Sequence, residues 1–431
     1  MGISKARAWR ACVVSVLAVF CIVASAAEPQ EPQGELTLAQ AVETALRRNP
    51  ELLASRYELT AAQARILQAG LRLNPELDLE LENFAGSGTA NGTDALETTL
   101  SLSQVIELGG KRGQRQSVAE ADSNLIAIEQ RARQLDVLAE VTRRFIDVVT
   151  AQERTRFAAE TTRLAQQTLG AIGARVEAAR APLAESSRAR IAVTRALIEE
   201  RQATTALRSA RYALASMWGG TAPAFTTANA DLFAFESVEQ FSALMARIER
   251  NPDITRFASQ ARLREAELRL SQAQARPNLT FSLGVRRLEA SSDNALVAGF
   301  SMALPVFDRN QGAIREARVR LAQTDAELQA ALTRARGTLY AVYQEMTTAR
   351  ERAESLRNEA VPQAQTALEQ TQNGYERGRF SFLELLTAQQ ELLALRAAAI
   401  DAAADYHQLL AELERVTSEP LTTNDIEAPL P

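Results

Sequence analysis

Two periodicities divide this chain. Along most of it, apolar residues return every three or four positions, the spacing of helices that pack side by side. Val118, Ala121, Leu125, Ile128, Ala132 and Leu135 keep that rhythm, and Ile314, Ala317, Leu321, Thr324, Leu328 and Ala331 repeat it. This is the seam of a coiled coil, with small residues that let neighbouring helices approach closely. In four short stretches the period falls to two. Leu77, Leu79 and Leu81 alternate with Glu76, Asp78, Glu80 and Glu82, and Leu100 and Leu102 with Thr99, Ser101 and Ser103. Leu279, Phe281, Leu283 and Val285 alternate with Thr280, Ser282 and Gly284. Leu296, Ala298, Phe300, Met302 and Leu304 alternate with Val297, Gly299, Ser301 and Ala303. The alternation predicts strands over 76–84, 96–106, 279–288 and 295–305, each with one apolar face.

These elements recur in one order. Asn49-Pro50 returns as Asn251-Pro252, and Pro75 as Pro277, each at an offset of 202 residues. "SLSQVIELGGKRGQR" (101–115) sits against "SMALPVFDRNQGAIR" (301–315), and "ARVEAARAPLAESSRAR" (174–190) against "NGYERGRFSFLELLTAQ" (373–389). The chain therefore reads as two structural repeats, 27–218 and 241–416, joined by a linker at 219–240 and followed by a tail at 417–431. Each repeat runs helix, strand, strand, long helix, turn, helix. The opening helix is expected over about 37–71, and the helical hairpins over about 112–217 and 311–415. The expected class is mainly α with a small β portion.

Composition adds the location. Lys5, Arg7 and Arg10 precede an apolar run from Ala11 to Val23 and the small residues Ala24-Ser25-Ala26, the pattern of an export signal over 1–26. Both cysteines, Cys12 and Cys21, fall inside it, so a disulfide framework is excluded and lipid attachment at Cys21 stays open. Removing three basic residues takes the formal charge from −5 to −8, which gives no footprint for nucleic acid. No later segment is long and apolar enough for a transmembrane helix.

Each ribbon is about 9 to 11 residues long, the length of a tilted transmembrane strand with one face for lipid and one for water. The competing reading is a small soluble sheet laid over the helices. In lipid, four strands cannot close a barrel and open edges are not tolerated. Three copies would supply twelve strands, an even number within the range of outer-membrane barrels, with Glu76, Asp78, Glu80 and Glu82 facing the lumen.

The duplicated order, "QVIELGGKRGQR", "LPVFDRNQG" and "YERGRFSFLELLTAQ" together resemble the TolC-like outer-membrane efflux proteins, over about residues 37–416. The "IELGGKR" and "PVFDRNQG" pair is most similar to the outer-membrane subunit of cobalt–zinc–cadmium efflux systems. The resemblance implies a homotrimer in the outer membrane of a Gram-negative bacterium, with a β-barrel and a long periplasmic α-barrel. It implies passive export through a periplasmic adaptor (membrane fusion) protein and an inner-membrane pump of the resistance-nodulation-division type. It places adaptor docking at the hairpin tips, Ala179, Arg180, Ala181 and Pro182 in one repeat and Gly378, Arg379, Phe380 and Ser381 in the other. The family usually has Gly where Ala179 stands. Glu384 matches an acidic ring that narrows the family's tunnel, and Glu185 is its repeat counterpart; a second family acid falls on Thr387. The alternatives are a channel for drugs or type I protein secretion, and, in another class, a soluble periplasmic coiled-coil adaptor or scaffold.

No catalytic motif, cofactor site or resident metal site is legible. "IELGGKRG" lacks the P-loop spacing and reads as a turn. His407 is the single histidine, expected on a helix surface; a ring of three such residues on an axis is the metal-binding alternative.

Overall fold

The computed structural model describes residues 31–419. The expected signal at 1–26, with Cys12 and Cys21, and residues 420–431 of the expected tail lie outside the described residues. The chain opens with β1 (Gly34–Leu36), α1 (Leu38–Arg48), α2 (Pro50–Ala69), β2 (Glu76–Glu82) and β3 (Glu97–Ile106). Two long helices follow, α3 (Lys111–Glu177) and α4 (Leu183–Ser216), and then β4 (Phe225–Ala228). The second half holds α5 (Phe241–Arg247), α6 (Pro252–Gln274), β5 (Leu279–Leu288) and β6 (Asp293–Met302). It ends with α7 (Gln311–Ser355), a π-helical turn (Leu356–Ala360), α8 (Val361–Glu376) and α9 (Phe382–Thr417). At 1.5 Å per residue, the 67 residues of α3 reach about 100 Å. No helix among the described residues is long and apolar enough to cross a membrane.

The opening helix expected over 37–71 is two helices. Asn49 sits at φ −60, ψ 125, the extended conformation forced on a residue before proline. Its side chain caps α2 through the amides of Glu51 and Leu52, while its Nδ2 donates to the Met217 carbonyl (2.8 Å) at the end of α4. Asn251 does the same in the second half. It caps α6 through the Asp253 amide, and its Nδ2 donates to the Arg415 and Val416 carbonyls (3.0 and 2.8 Å) at the end of α9. Both asparagines are 4% exposed. The repeated Asn-Pro is thus a clasp: one side chain starts one helix and satisfies the carbonyls that finish another.

The expected linker carries β4, which pairs in parallel with β1. Around that two-stranded sheet lies a core built from Leu36, Val141, Phe145, Val148, Leu214 and Trp218. A second core joins Leu244, Leu339, Met346, Tyr406 and Leu413, and a third lies near the hairpin ends around Ile172, Phe382, Leu385 and Leu392. The run α7–α8, the counterpart of α3 in the second repeat, differs from α3 at Pro362. Proline has no N–H to give the Asn358 carbonyl, and the turn before it widens from α to π.

The second sheet is antiparallel throughout, in the order β2-β3-β5-β6. β6 begins and ends earlier than the expected 295–305. Its partner β5 starts at Leu279, opposite Met302, and the preceding Pro277 has no amide with which to extend the ladder.

Candidate functional site

Register turns the alternation into two faces. Leu79 pairs with Leu100, Leu100 with Val285 and Val285 with Leu296; one row along, Leu77, Leu102, Leu283 and Ala298 line up. No helix covers this face: Leu296 is 82% exposed, Phe300 81% and Leu77 71%. A sheet laid over helices would bury these side chains. Here four strands present a continuous apolar surface and leave the outer edges of β2 and β6 without partners among the described residues.

Glu76, Asp78, Glu80 and Glu82 stand on the opposite face, where their register partners are Ser103, Ser101, Thr99 and Glu97. Asp78 accepts from the Ser103 hydroxyl (3.1 Å). The face is not wholly acidic, because β5 brings in Arg286. Its guanidinium reaches Glu82 (3.1 Å), Glu97 (2.8 Å) and the Thr99 hydroxyl (2.9 Å), tying three strands together. Nothing local to the first hairpin announces this partner; the signal is an Arg pair inside an otherwise apolar ribbon.

The strand-to-helix motifs are turns. Gly109 and Gly110 adopt φ 80 and 72, and a Cβ on Gly109 would lie 2.6 Å from the Arg276 side chain. In the second repeat Asn310 takes φ 57, and its Nδ2 donates to the Ser271 carbonyl (2.8 Å). Glu107 and Arg115 form a salt bridge across the first turn; the hydrogen bond from Arg115 holds the Glu107 carboxyl below the usual range against its burial.

At the far end of the hairpins, Ala179 sits at φ 55 and Gly378 at φ 71. Each closes its helix with the same bonds. The Arg180 amide donates to the Arg175 carbonyl (2.7 Å), and the Arg379 amide to the Gly374 carbonyl (2.8 Å). Alanine therefore makes the turn that glycine makes, in a region costly for a residue with a Cβ. Arg180, Pro182, Gly378, Arg379 and Ser381 are exposed and Ala181 half-buried. Phe380 folds back on Gly374, where a Cβ would meet the ring at 2.0 Å, yet stays 44% exposed.

The two acids separate. Ser381 caps α9; its amide and hydroxyl donate to Glu384 (2.6 and 2.8 Å), and the backbone bond foremost holds the Glu384 carboxyl below its usual range. Glu185 instead accepts from the Tyr375 hydroxyl (2.8 Å) of the other hairpin. The Arg175 guanidinium lies 4.4 Å from the centre of that ring. Burial, then the bond to Glu185, pushes the Tyr375 hydroxyl up to about 12. Thr387 bonds back to the Leu383 carbonyl (2.9 Å).

His407 is not the surface histidine expected. Its Nε2 lies 3.0 Å from the Leu232 carbonyl, its ring packs beside Phe235 and Tyr406, and burial lowers its pKa. Since a carbonyl only accepts, Nε2 carries the proton. Among the described residues, no group of three or more His, Cys, Asp or Glu is placed to hold a metal ion.

A four-stranded sheet with one exposed apolar face, an opposite face of acids and an arginine, and open edges, carried on helices up to about 100 Å long, is the architecture of a membrane channel protein with a helical extension. The comparisons agree. The outer membrane efflux protein model matches residues 41–220 and 245–419, and the chain belongs to that family. The cobalt-zinc-cadmium resistance protein CzcC of Cupriavidus metallidurans is 30% identical over 390 residues, 90% of this chain and 91% of that protein. The nickel and cobalt resistance protein CnrC of the same organism is 27% identical over 65% of this chain and 66% of its own. In fold, a membrane protein from Pseudomonas aeruginosa superposes with TM-score 0.75 at 20% identity, covering 88% of this chain and 90% of its own. CusC superposes with TM-score 0.75 at 18% identity, covering 90% and 95%. The protein is an outer-membrane efflux channel. Its family and relatives are channel proteins, not enzymes.

Proposed function

We propose that three copies close a twelve-stranded barrel and a helical tube, through which divalent heavy-metal cations leave the periplasm. An inner-membrane pump of the resistance-nodulation-division type drives the flow through a periplasmic adaptor that docks at the two hairpin tips. The observation carrying the conduit is the pair of open sheet edges beneath an exposed apolar face, which lipid does not tolerate in a single copy. The resemblance over nine-tenths of the chain to a cobalt-zinc-cadmium resistance protein supports the cargo. Residues 179–182 and 378–381 form the docking surface, and Glu76, Asp78, Glu80 and Glu82 line the lumen, Glu82 paired there with Arg286. Selection among metals falls to the pump.

The test is growth of a deletion strain across zinc, cobalt, cadmium, copper and a panel of hydrophobic drugs. Selective sensitivity to divalent metals, rescued by the wild-type chain, is expected; broad drug sensitivity with normal metal tolerance would replace the cargo and keep the channel. Glu384 forms a constriction ring in this reading. Glu384→Gln retains the capping box, so it removes charge alone. It is expected to weaken divalent-cation block in bilayer recordings; unaltered block removes the ring.

A further inference from the structure

Four segments join the membrane sheet to the helices, and each carries an exposed basic residue: Arg72 before β2, Arg112 after β3, Arg276 before β5 and Arg309 after β6. None of the four forms an ion pair among the described residues, although ion pairs are frequent elsewhere in the chain. Arg112, with Lys111, occupies the first turn of α3, where the helix dipole favours acids and none is present. The Glu107 carboxylate, held by Arg115, reaches Lys111 and Arg112 only through space, so the basic residues outnumber their local acid, which points to a partner outside the chain.

The same level carries unpartnered apolar groups. Phe307 is 91% exposed, Leu304 72%, Val306 59% and Leu71 49%. Leu304 follows the apolar alternation of β6 past its last paired residue, Met302, and Val306, Phe307 and Leu71 lie in the segments that join the sheet to the helices. Of the acids near the belt, Glu107 pairs with Arg115 and Asp308 accepts from the Asn310 amide (2.8 Å), while Glu76 stands exposed at the start of β2. An apolar surface that ends in a ring of unpaired cations fits one kind of surrounding, acyl chains that end in anionic headgroups.

We infer that this junction is a lipid-binding belt. Arg72, Arg112, Arg276 and Arg309 take the phosphates of anionic phospholipid in the leaflet on the helical side, and Phe307 sits among its acyl chains. The belt fixes the depth of the sheet in the membrane. The inference rests on the sheet spanning the bilayer.

The test uses the full-length protein in vesicles of phosphatidylcholine, with or without phosphatidylglycerol. Phosphatidylglycerol is expected to raise the melting midpoint by about 3–5 °C. Arg72→Gln, Arg112→Gln, Arg276→Gln and Arg309→Gln together are expected to abolish that rise, and inorganic phosphate should not reproduce it. In parallel, tryptophan is placed by Phe307→Trp and, as a control on the middle of the apolar face, by Phe300→Trp, and brominated acyl chains are used as quencher. Quenching of both supports the belt. Quenching at 300 alone, with no headgroup dependence, overturns the belt and keeps the spanning sheet; Phe307 then packs on a second copy. Quenching at neither position overturns both.

Discussion

Single residues set the geometry of the tips. Ala179 holds φ 55 without the freedom of glycine, while Gly378 makes the equivalent turn unstrained. Ala179→Gly is expected to stabilise the protein by about 1 kcal/mol, read as a higher melting midpoint; an unchanged or lower midpoint would mean that the turn is not strained. His407 carries a pH dependence. Its folded pKa is lowered, so the unfolded chain binds the proton more readily. Stability is therefore full above the unfolded value of about 6.5 and falls as pH drops below it. His407→Gln can donate to the same carbonyl and should flatten the profile below about pH 6.5. A profile equally steep in the variant assigns the acid sensitivity to other groups. What sequence showed at this scale was residue type. Glu384 and Glu185 were visible as a repeat-related pair, but one is tied to its own helix cap and the other to a tyrosine 190 positions away. Partners so distant follow from packing, which no local pattern encodes.

Elements were more legible. Each ribbon is long enough for its period of two to register, and the duplication supplied the order twice. Three features escaped. β1 is three residues long, too short for any period to appear. The π turn depends on where one proline falls within a helix that is otherwise favourable. The break at Asn49 was covered by helical composition on both sides, though Asn-Pro is itself a boundary signal. The two clasps predict a measurable asymmetry between cap and donor. Asn251→Ala loses both and is expected to cost about 2 kcal/mol in chemical unfolding. Asn251→Ser keeps a capping oxygen and loses the donor, so it should cost less. Equal costs would mean that the bonds to the Arg415 and Val416 carbonyls carry the whole effect.

For the whole molecule, the open edges of β2 and β6 make a prediction about assembly. No cysteine follows Cys21, so cysteines introduced in pairs, one on each edge strand, report only contacts between copies. Oxidation in membranes is expected to yield a ladder ending at three copies. A ladder ending at two, or none at any edge position, would refute the barrel of three.

The π turn and the two tip sequences make the hairpins of one chain unequal: one ends in Ala-Arg-Ala-Pro, the other in Gly-Arg-Phe-Ser. Stoichiometry follows from that inequality. A visiting protein that reads only the exposed phenyl ring finds one site per chain; one that reads the shared arginine finds two. Counting bound molecules per chain, before and after Phe380→Ala, therefore distinguishes recognition of a side chain from recognition of a turn.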